Sequence, residues 1–204
     1  MDIKLPHLQL RDFLSQDEHA ALLDYILSNP AKFHAATVRS GNDSIVNAER
    51  RVASVCRDLG PLSARLHQRF LDSLPGLMAE LGLRGAPPTT VELELAAHGD
   101  GAFYAVHRDI PIGDARKRRS DETDRVLSSV YYLHSEPKGY SGGELRLYQL
   151  DDSAAFVEIQ PLQNSLVVFH SWVPHEVRPV SVPSGAFHNY RFAINCWFRR
   201  RLDA

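Results

Sequence analysis

A histidine and an aspartate two positions apart, in His107-Arg-Asp109, are the first candidates for chemistry in this chain. Side chains two apart on a strand point to the same face, so the imidazole and the carboxylate can converge while Arg108 points away. His175, in Trp172-Val-Pro-His175, is the best candidate for a third ligand. Two histidines and one carboxylate on one side of a metal leave open positions, which is the ligand set of non-haem Fe(II) oxygenases. Zinc hydrolases use similar ligands, so these three residues alone do not choose the metal.

Short strands are predicted around these residues. From Val91 the chain reads Val-Glu-Leu-Glu-Leu, and this alternation of apolar and acidic residues is typical of a half-buried strand. Later apolar runs are short, rich in β-branched and aromatic residues, and bounded by Gly, Pro, Ser or Asp; they cover Val126–Leu133, Glu144–Leu150, Phe156–Ile159, Ser165–Phe169, His175–Val180 and Arg191–Phe198. A succession of strands without helices between them predicts an antiparallel sandwich or barrel.

The segment before these strands, residues 1–85, is predicted to be mostly helical. Ser15 stands three positions before Glu18 and ahead of apolar residues at helical spacing, which is the pattern of a capping box. We therefore expect a helix over residues 16–28, ended by Pro30.

A second helix is predicted to begin at Pro61. Its apolar residues recur every three or four positions, at Leu62, Leu66, Phe70, Leu74, Leu77 and Leu81. The pattern predicts one long scaffold helix, in which Pro75-Gly76 is a point where the helix can kink or divide. The chain is thus predicted to be a single α+β domain over residues 1–204, with helical support in 1–85 and a mainly β core in 91–200.

Composition excludes several classes of protein. The chain has 204 residues, of which 44% are hydrophobic and 24% charged, as in ordinary globular domains. Its net charge of −2 argues against nucleic-acid or membrane partners bound through a global positive field. Two distant cysteines, a first segment without a signal-peptide pattern and the absence of a long apolar run predict a protein of the reducing cytoplasm.

Five sequence blocks follow one another in the order found in one enzyme family. The blocks are His-Gly-Asp-Gly-Ala-Phe-Tyr-Ala-Val-His-Arg-Asp (98–109), Val-Tyr-Tyr-Leu (130–133), Ser-Gly-Gly-Glu-Leu-Arg-Leu-Tyr (141–148), Pro-His-Glu-Val-Arg-Pro-Val (174–180) and Tyr-Arg-Phe-Ala-Ile-Asn-Cys-Trp-Phe (190–198). Through them the C-terminal half resembles the iron(II)- and 2-oxoglutarate-dependent dioxygenases, and within these the prolyl 4-hydroxylase-like group.

The resemblance implies a double-stranded β-helix, a jelly-roll or cupin-like barrel, buttressed by the N-terminal helices. It also implies that His107, Asp109 and His175 are iron ligands, with 2-oxoglutarate as cosubstrate, dioxygen as oxidant and ascorbate as a supporting reductant. In this family, oxidative decarboxylation of the cosubstrate yields succinate and carbon dioxide. The carboxylate of Asp109 favours hydroxylation, because related halogenases have a small residue at this position.

A cosubstrate pocket is implied in the same way. Arg191 falls where the family has the basic residue that pairs with the distal carboxylate of 2-oxoglutarate, which suits a planar guanidinium with two parallel donors. Tyr132 matches the tyrosine that hydrogen-bonds the same carboxylate, and Leu145 matches an apolar wall of the pocket. The catalytic set implied by the resemblance comprises His107, Asp109, His175 and Arg191.

Three departures from the family pattern concern the surroundings of the site. Arg191 follows His175 by 16 residues because the turn 181–188 is enlarged, so this turn either bulges outward or shifts the register of Arg191. Ala97 stands where some prolyl hydroxylases have a tyrosine near the cosubstrate. The charged insert 111–125 has no counterpart, and it is interpreted as a solvated loop, a substrate lid or a docking site for an acidic partner.

Three functions are compatible with these residues. The first is hydroxylation of an unactivated C–H bond in a prolyl or similar residue of a peptide or protein. The second is hydroxylation of a free amino acid or another small metabolite, because loop changes adapt one barrel to many substrates. The third is a catalytically silent barrel that acts as a binding or sensing module, although a binder would not need three metal ligands together with Arg191.

Overall fold

The computed structural model describes residues 5–40, 43–110, 123–150 and 154–201. Within these ranges lie two α-helices, α1 (Gln16–Ser28) and α2 (Ser63–Leu81). Most of the charged insert, residues 111–122, lies outside the described residues, so its interpretation stays a prediction.

Strands make up most of the described chain. They are β1 (His7–Leu10), β2 (His34–Ala35), β3 (Val38–Ser40), β4 (Asp43–Ile45), β5 (Arg51–Val52), β6 (Ser54–Cys56), β7 (Thr90–His98), β8 (Phe103–His107), β9 (Thr123–Leu133), β10 (Ser141–Gly142), β11 (Leu145–Tyr148), β12 (Phe156–Ile159), β13 (Ser165–His170), β14 (His175–Val177), β15 (Val180–Ser181) and β16 (Arg191–Arg201). The larger sheet has seven strands in the order β1-β13-β9-β16-β7-β6-β2, and the smaller has five in the order β12-β11-β14-β8-β5. Two ribbons, β3 with β4 and β10 with β15, lie outside these sheets.

The two sheets pack against each other and enclose a buried cluster. The larger sheet contributes Val130, Tyr132, Val167, Phe169 and Ala193, and the smaller contributes Leu145, Leu147 and Ile159. Two antiparallel sheets that share an interior in this way form a jelly-roll barrel. The predicted double-stranded β-helix is therefore confirmed.

Both helices cover the outer face of the larger sheet. Alternate residues of β16 lie in one core with α1 and α2; this core includes Leu22, Ile26, Phe70, Leu74, Phe192, Ile194, Cys196 and Phe198. Cys196 is fully buried there as a small apolar side chain. The helices thus stabilise the sheet from outside and leave its inner face to the barrel.

The helix boundaries follow from local chemistry. Ser15 caps α1, because its hydroxyl accepts from the amide of Glu18 at 3.3 Å and its own amide donates to the Glu18 carboxylate at 3.0 Å. Helix α2 is not divided at Pro75, since buried leucines before and after the proline hold both parts in one core. It ends at Gly82, whose φ of 64° is the left-handed value that favours glycine. Among the described residues, no helix has the length and apolar character needed to cross a membrane.

The first 85 residues are less helical than predicted. Besides the two helices they contain the six strands β1–β6, each only two to four residues long. Strand β1 pairs with β13, β6 pairs with β7, and β5 pairs with β8, so the N-terminal segment extends both sheets. Strands of two to four residues are too short to show an alternation in the sequence, and β1, β5 and β6 are held in place by partners distant along the chain.

Candidate active site

His107, Asp109 and His175 come together in a cleft between the two sheets. His107 ends β8 and lies opposite His175, the first residue of β14. One carboxylate oxygen of Asp109 lies 3.7 Å from His107 Nε2, and the other lies 3.5 Å from His175 Nε2. Their ligand atoms all lie within 4.8 Å of one another, so one metal ion can contact all three.

Backbone carbonyl groups orient the two imidazoles. His107 Nδ1 donates to the carbonyl of Ala105 at 2.9 Å, and His175 Nδ1 donates to the carbonyl of Val173 at 2.9 Å. A proton held on Nδ1 leaves the lone pair on Nε2, which is the atom that faces Asp109. Both rings are therefore set in the tautomer that a metal ligand requires.

The electrostatics of the three residues also suit a cation. Burial raises the pKa of Asp109, but its neighbours, among them the Arg125 guanidinium and a hydrogen bond from Ser128, outweigh burial and hold the pKa below its ordinary value, so the side chain is a carboxylate. Ser128 Oγ donates to Asp109 at 2.6 Å and lies 2.9 Å from the hydroxyl of Ser171. Burial and the neighbouring His175 lower the pKa of His107, which keeps its ring neutral.

Arg191, the first residue of β16, lies deeper in the cleft and is only 1% exposed. Its Nη1 donates to His98 Nδ1 at 3.3 Å, while its Nε and Nη2 have no hydrogen-bond partner among the described residues. Burial, Arg191 and Arg51 lower the pKa of His98, so this ring is a neutral acceptor. A buried cation without a counter-ion is costly, and this one has two donors left for an anionic ligand.

Two further predicted residues surround the guanidinium. The ring of Tyr132 lies 4.9 Å from Arg191 Cζ, and its buried hydroxyl also has no partner in the described structure. Burial raises the pKa of Tyr132 to about 12, so the hydroxyl keeps its proton and can donate. Leu145 lines the same cleft and is almost fully buried. The unpartnered donors of Arg191 and Tyr132, beside the apolar side chain of Leu145, fit a carboxylate such as the distal carboxylate of 2-oxoglutarate.

The cleft continues outward along the larger sheet and has a volume of about 610 Å³. Glu94 of β7 lies on its floor and binds two arginines, Arg51 at 2.8 Å and Arg57 at 3.1 Å. The Arg51 guanidinium also stacks over the ring of Tyr104, 4.9 Å from its centre. Tyr104 in turn stacks on His107 with 3.5 Å between ring centres, so this arginine cluster borders the metal ligands.

A second arginine cluster lies two residues earlier on β7. Glu92 accepts from Arg125 at 2.9 Å and from Arg199 at 2.8 Å. Arg125 also covers the indole of Trp197, with its Cζ 3.9 Å from the ring centre. Trp197 pairs across strands with Ser128, the residue that holds Asp109, so this cluster too lies beside the triad.

Comparison with known proteins identifies this architecture. A family model described as the 2OG-Fe(II) oxygenase superfamily matches residues 93–199, more than half of the chain and all of the predicted site residues. The chain belongs to the 2OG-Fe(II) oxygenase superfamily. Over 203 residues the oxygenase is 30% identical to an uncharacterized PKHD-type hydroxylase of Synechocystis sp., an alignment that covers 96% of this chain. The chain spans 63% of the length of that relative.

Solved structures resemble the oxygenase over nearly its whole length. A prolyl-4-hydroxylase of Pseudomonas putida is 25% identical, with a TM-score of 0.70 and coverage of 97% of this chain and 94% of that one. A prolyl hydroxylase of Trichoplax adhaerens, in complex with a peptide fragment of the hypoxia inducible factor, is 21% identical, with a TM-score of 0.66 and coverage of 95% and 83%. The predicted family and its prolyl 4-hydroxylase-like group are confirmed.

Two expectations about the oxygenase site need correction or resolution. Asp109 does not lie on a strand with His107, because β8 ends at His107 and Asp109 follows in a bend, where its amide donates to the Ser171 carbonyl at 3.2 Å. The two side chains nevertheless converge.

The enlarged turn 181–188 does not displace Arg191, which pairs with His98 across β16 and β7 and lies buried in the cleft.

Several residues of the cleft were not singled out from the sequence. His98 ends β7 and contacts Arg191. Trp197, Glu92 and Glu94 line the cleft as well. Period-2 alternation along the strand places Trp197 on the same face as Arg191, but the position of His98 depends on pairing between distant strands. Ala97 points to the helix side, so it cannot supply the cosubstrate contact of the family tyrosine.

Proposed function

We propose that this oxygenase hydroxylates a prolyl or similar residue of a peptide or protein, using Fe(II), 2-oxoglutarate and dioxygen and releasing succinate and carbon dioxide. The observation that carries the proposal is the pair of buried, unpartnered groups, the Arg191 guanidinium and the Tyr132 hydroxyl, in the same cleft as a metal-competent triad. We include the cytoplasmic location and ascorbate as a supporting reductant in the proposal as predictions.

In this proposal His107, Asp109 and His175 hold the iron. Two neutral imidazoles and one carboxylate occupy one side of the ion, so the remaining positions are open to 2-oxoglutarate and dioxygen. Bound iron and 2-oxoglutarate supply the oxidising chemistry of the family. Ser128 keeps the Asp109 carboxylate oriented through its 2.6 Å hydrogen bond, which fixes the ligand before the ion arrives.

Arg191 and Tyr132 would bind the distal carboxylate of 2-oxoglutarate. Arg191 offers Nε and Nη2 as parallel donors, and Tyr132 adds a hydroxyl proton. Gly143 makes room for this arrangement, because a Cβ at that position would lie 2.5 Å from Arg191 Cδ. His98 holds the third guanidinium nitrogen, so the other two stay directed at the ligand. Leu145 closes the pocket on its apolar side.

A peptide substrate is supported by the shape of the surface around the triad. A second cleft of about 610 Å³ shares His107, Arg108 and Ile110 with the first, so an extended chain could run past the metal from one cleft to the other. The exposed side chains of Val106 and Leu150 offer apolar contact along this path. The Trichoplax neighbour, which shares the fold, holds a peptide in its complex.

Anaerobic titration with Fe(II) and 2-oxoglutarate tests the proposal. We expect the visible charge-transfer band of an iron-bound 2-oxo acid in the wild type, its loss in His107→Ala and its weakening in Arg191→Ala. His188→Ala, which removes an exposed histidine, is the matched control and should keep the band. A wild type without the band at saturating iron and 2-oxoglutarate would contradict the oxygenase proposal.

The substrate is tested separately by 2-oxoglutarate-dependent succinate release. Blocked prolyl peptides are compared with free proline and other free amino acids, in the presence of dioxygen and ascorbate. Faster succinate release with the peptides, together with a mass gain of one oxygen atom, is the expected result. Turnover of a free amino acid but of no peptide would instead support the small-metabolite alternative.

A further inference from the structure

The outer part of the active-site cleft carries more arginines than acids. Apart from the metal ligands and Arg191, the described charged residues that line it are Arg51, Arg57, Arg108, Arg125, Arg199, Glu92 and Glu94. Five cations therefore face two anions next to the site of chemistry, although the whole chain has a net charge of −2. Because low-dielectric walls focus the field of such a cleft, this local excess attracts negatively charged ligands.

Each glutamate is shared between two guanidinium groups. Glu94, whose side chain is 3% exposed, binds both Arg51 and Arg57, and this group of three has a net charge of +1. Arg51 is itself buried, with an exposure of 8%, and its Nε has no hydrogen-bond partner among the described residues. Because Arg51 is only partly hydrogen-bonded and belongs to a group with a net positive charge, an additional anionic group beside it would offset part of the cost of burying its charge.

The second group repeats this arrangement one step along the sheet. Glu92 binds Arg125 and Arg199, and the side chains of both arginines keep 22% of their surface exposed. Side chains two apart on β7 point to the same side, so the groups of Glu92 and Glu94 form one row along the cleft. Tyr104 connects this row to the metal ligand His107, on which its ring stacks. Trp197 connects the row to Ser128, the residue that hydrogen-bonds Asp109.

We propose that this arginine row binds carboxylate side chains of the substrate, so that the preferred substrate is an acidic peptide. The inference rests on the proposed function and specifies the substrate class. Guanidinium groups are suited to this task because they bind a carboxylate through two parallel hydrogen bonds. Acidic residues that flank the reacting residue would reach the row while the reacting residue itself lies at the metal.

Isothermal titration of the anaerobic enzyme with Fe(II) and 2-oxoglutarate measures this preference without turnover. The probes are blocked pentapeptides Ala-Xaa-Pro-Xaa-Ala, in which Xaa is glutamate, glutamine or lysine. We expect a Kd for the glutamate peptide roughly tenfold below that for the glutamine peptide, and the weakest binding for the lysine peptide. The difference should shrink in 1 M salt, where the Debye length falls to about 3 Å.

Two matched variants test the arginine row itself. Arg57→Gln removes an arginine whose side chain is 71% exposed and which binds Glu94, while Arg65→Gln removes one on α2 that is 69% exposed and binds Glu18. The Kd of the glutamine peptide divided by the Kd of the glutamate peptide should fall several-fold in Arg57→Gln and stay at the wild-type value in Arg65→Gln. We compare this ratio and not the separate Kd values, because a partly unfolded variant would change both values in the same proportion.

Three results would overturn the inference: equal Kd values for the glutamate and glutamine peptides, tightest binding of the lysine peptide, or no measurable binding of any peptide. Each must be recorded on enzyme that forms the charge-transfer band with Fe(II) and 2-oxoglutarate. A missing band would instead overturn the proposed function, so the two failures are distinguishable.

Discussion

The two faces of the larger sheet are built from the same strands and serve different purposes. On β16 the residues Phe192, Ile194, Cys196 and Phe198 pack against the helices. The alternate residues Arg191, Asn195, Trp197 and Arg199 line the cleft instead. Strand β7 shows the same division, with Leu93 and Leu95 toward the helices and Glu92 and Glu94 toward the cleft.

This difference shows how one strand supports both stability and a polar site. The helix side is closed by apolar packing, which contributes free energy for every methylene removed from water. The cleft side keeps groups that are costly to bury, and Arg191 and Tyr132 even lack partners among the described residues. We infer that the free energy gained by packing on the helix side offsets the cost of burying these unsatisfied groups on the cleft side. Variants on the two sides can test this division.

The largest effect is expected for Phe192→Ala on the helix side. Removing a fully buried ring leaves a cavity, so the free energy of unfolding should fall by about 3–5 kcal/mol. Asn195→Ala, three residues along the same strand but on the cleft side, should cost less than about 1 kcal/mol. Urea unfolding followed by circular dichroism measures both values. Similar losses for the two variants would contradict the division between the faces.

Arg191→Gln should affect ligand binding and leave stability intact. The Kd for 2-oxoglutarate should rise about 100-fold, because two charge-assisted donors are lost. Without 2-oxoglutarate, the urea midpoint should not fall, since the variant removes a buried cation that has no counter-ion in the described structure. Anaerobic calorimetry gives the Kd. A lower midpoint with an unchanged Kd would place Arg191 among the structural residues.

Gly143→Ala should weaken cosubstrate binding indirectly. The new Cβ would lie 2.5 Å from Arg191 Cδ and would displace the guanidinium, so the Kd for 2-oxoglutarate should rise roughly tenfold. Gly101→Ala is the control, because Gly101 has a similar φ of 71° against 74° but open space around its Cβ. Both variants carry the same backbone strain. Equal Kd values for them would show that the strain, and not the contact with Arg191, is responsible.

The smallest effect concerns the pH dependence of stability. The pKa of His98 is lowered in the folded protein, whereas an unfolded histidine titrates near 6.5. Below about pH 6.5 the unfolded chain therefore takes up a proton that the folded chain does not, and stability falls by up to about 1.4 kcal/mol per pH unit for this group. His98→Gln should reduce that slope, while His188→Gln at an exposed position should not. An unchanged slope in His98→Gln would show that His98 is protonated in the folded state.

Most elements of the barrel were predictable because their signals are local. The capping box of Ser15 and Glu18 marks α1, and the alternation after Val91 marks β7. The strands β1–β6 were not predictable, since two to four residues carry no periodicity, and β1, β5 and β6 pair with partners far along the chain. The long helix predicted from Pro61 onward is α2, which continues through Pro75 because packing of the flanking leucines outweighs the lost hydrogen bond.

The sequence by itself predicted the candidate metal ligands and cosubstrate residues: His107, Asp109, His175, Arg191, Tyr132 and Leu145 lie in blocks whose order and residue types carry the family pattern. Only the tertiary structure decided which groups surround them. Arg51 meets Glu94 across 43 residues, and His98 meets Arg191 across 93. Such contacts depend on which strands pair and in what register. The alternation within a strand selects the face that is buried, but the choice of a distant partner strand is made only when the sheet assembles.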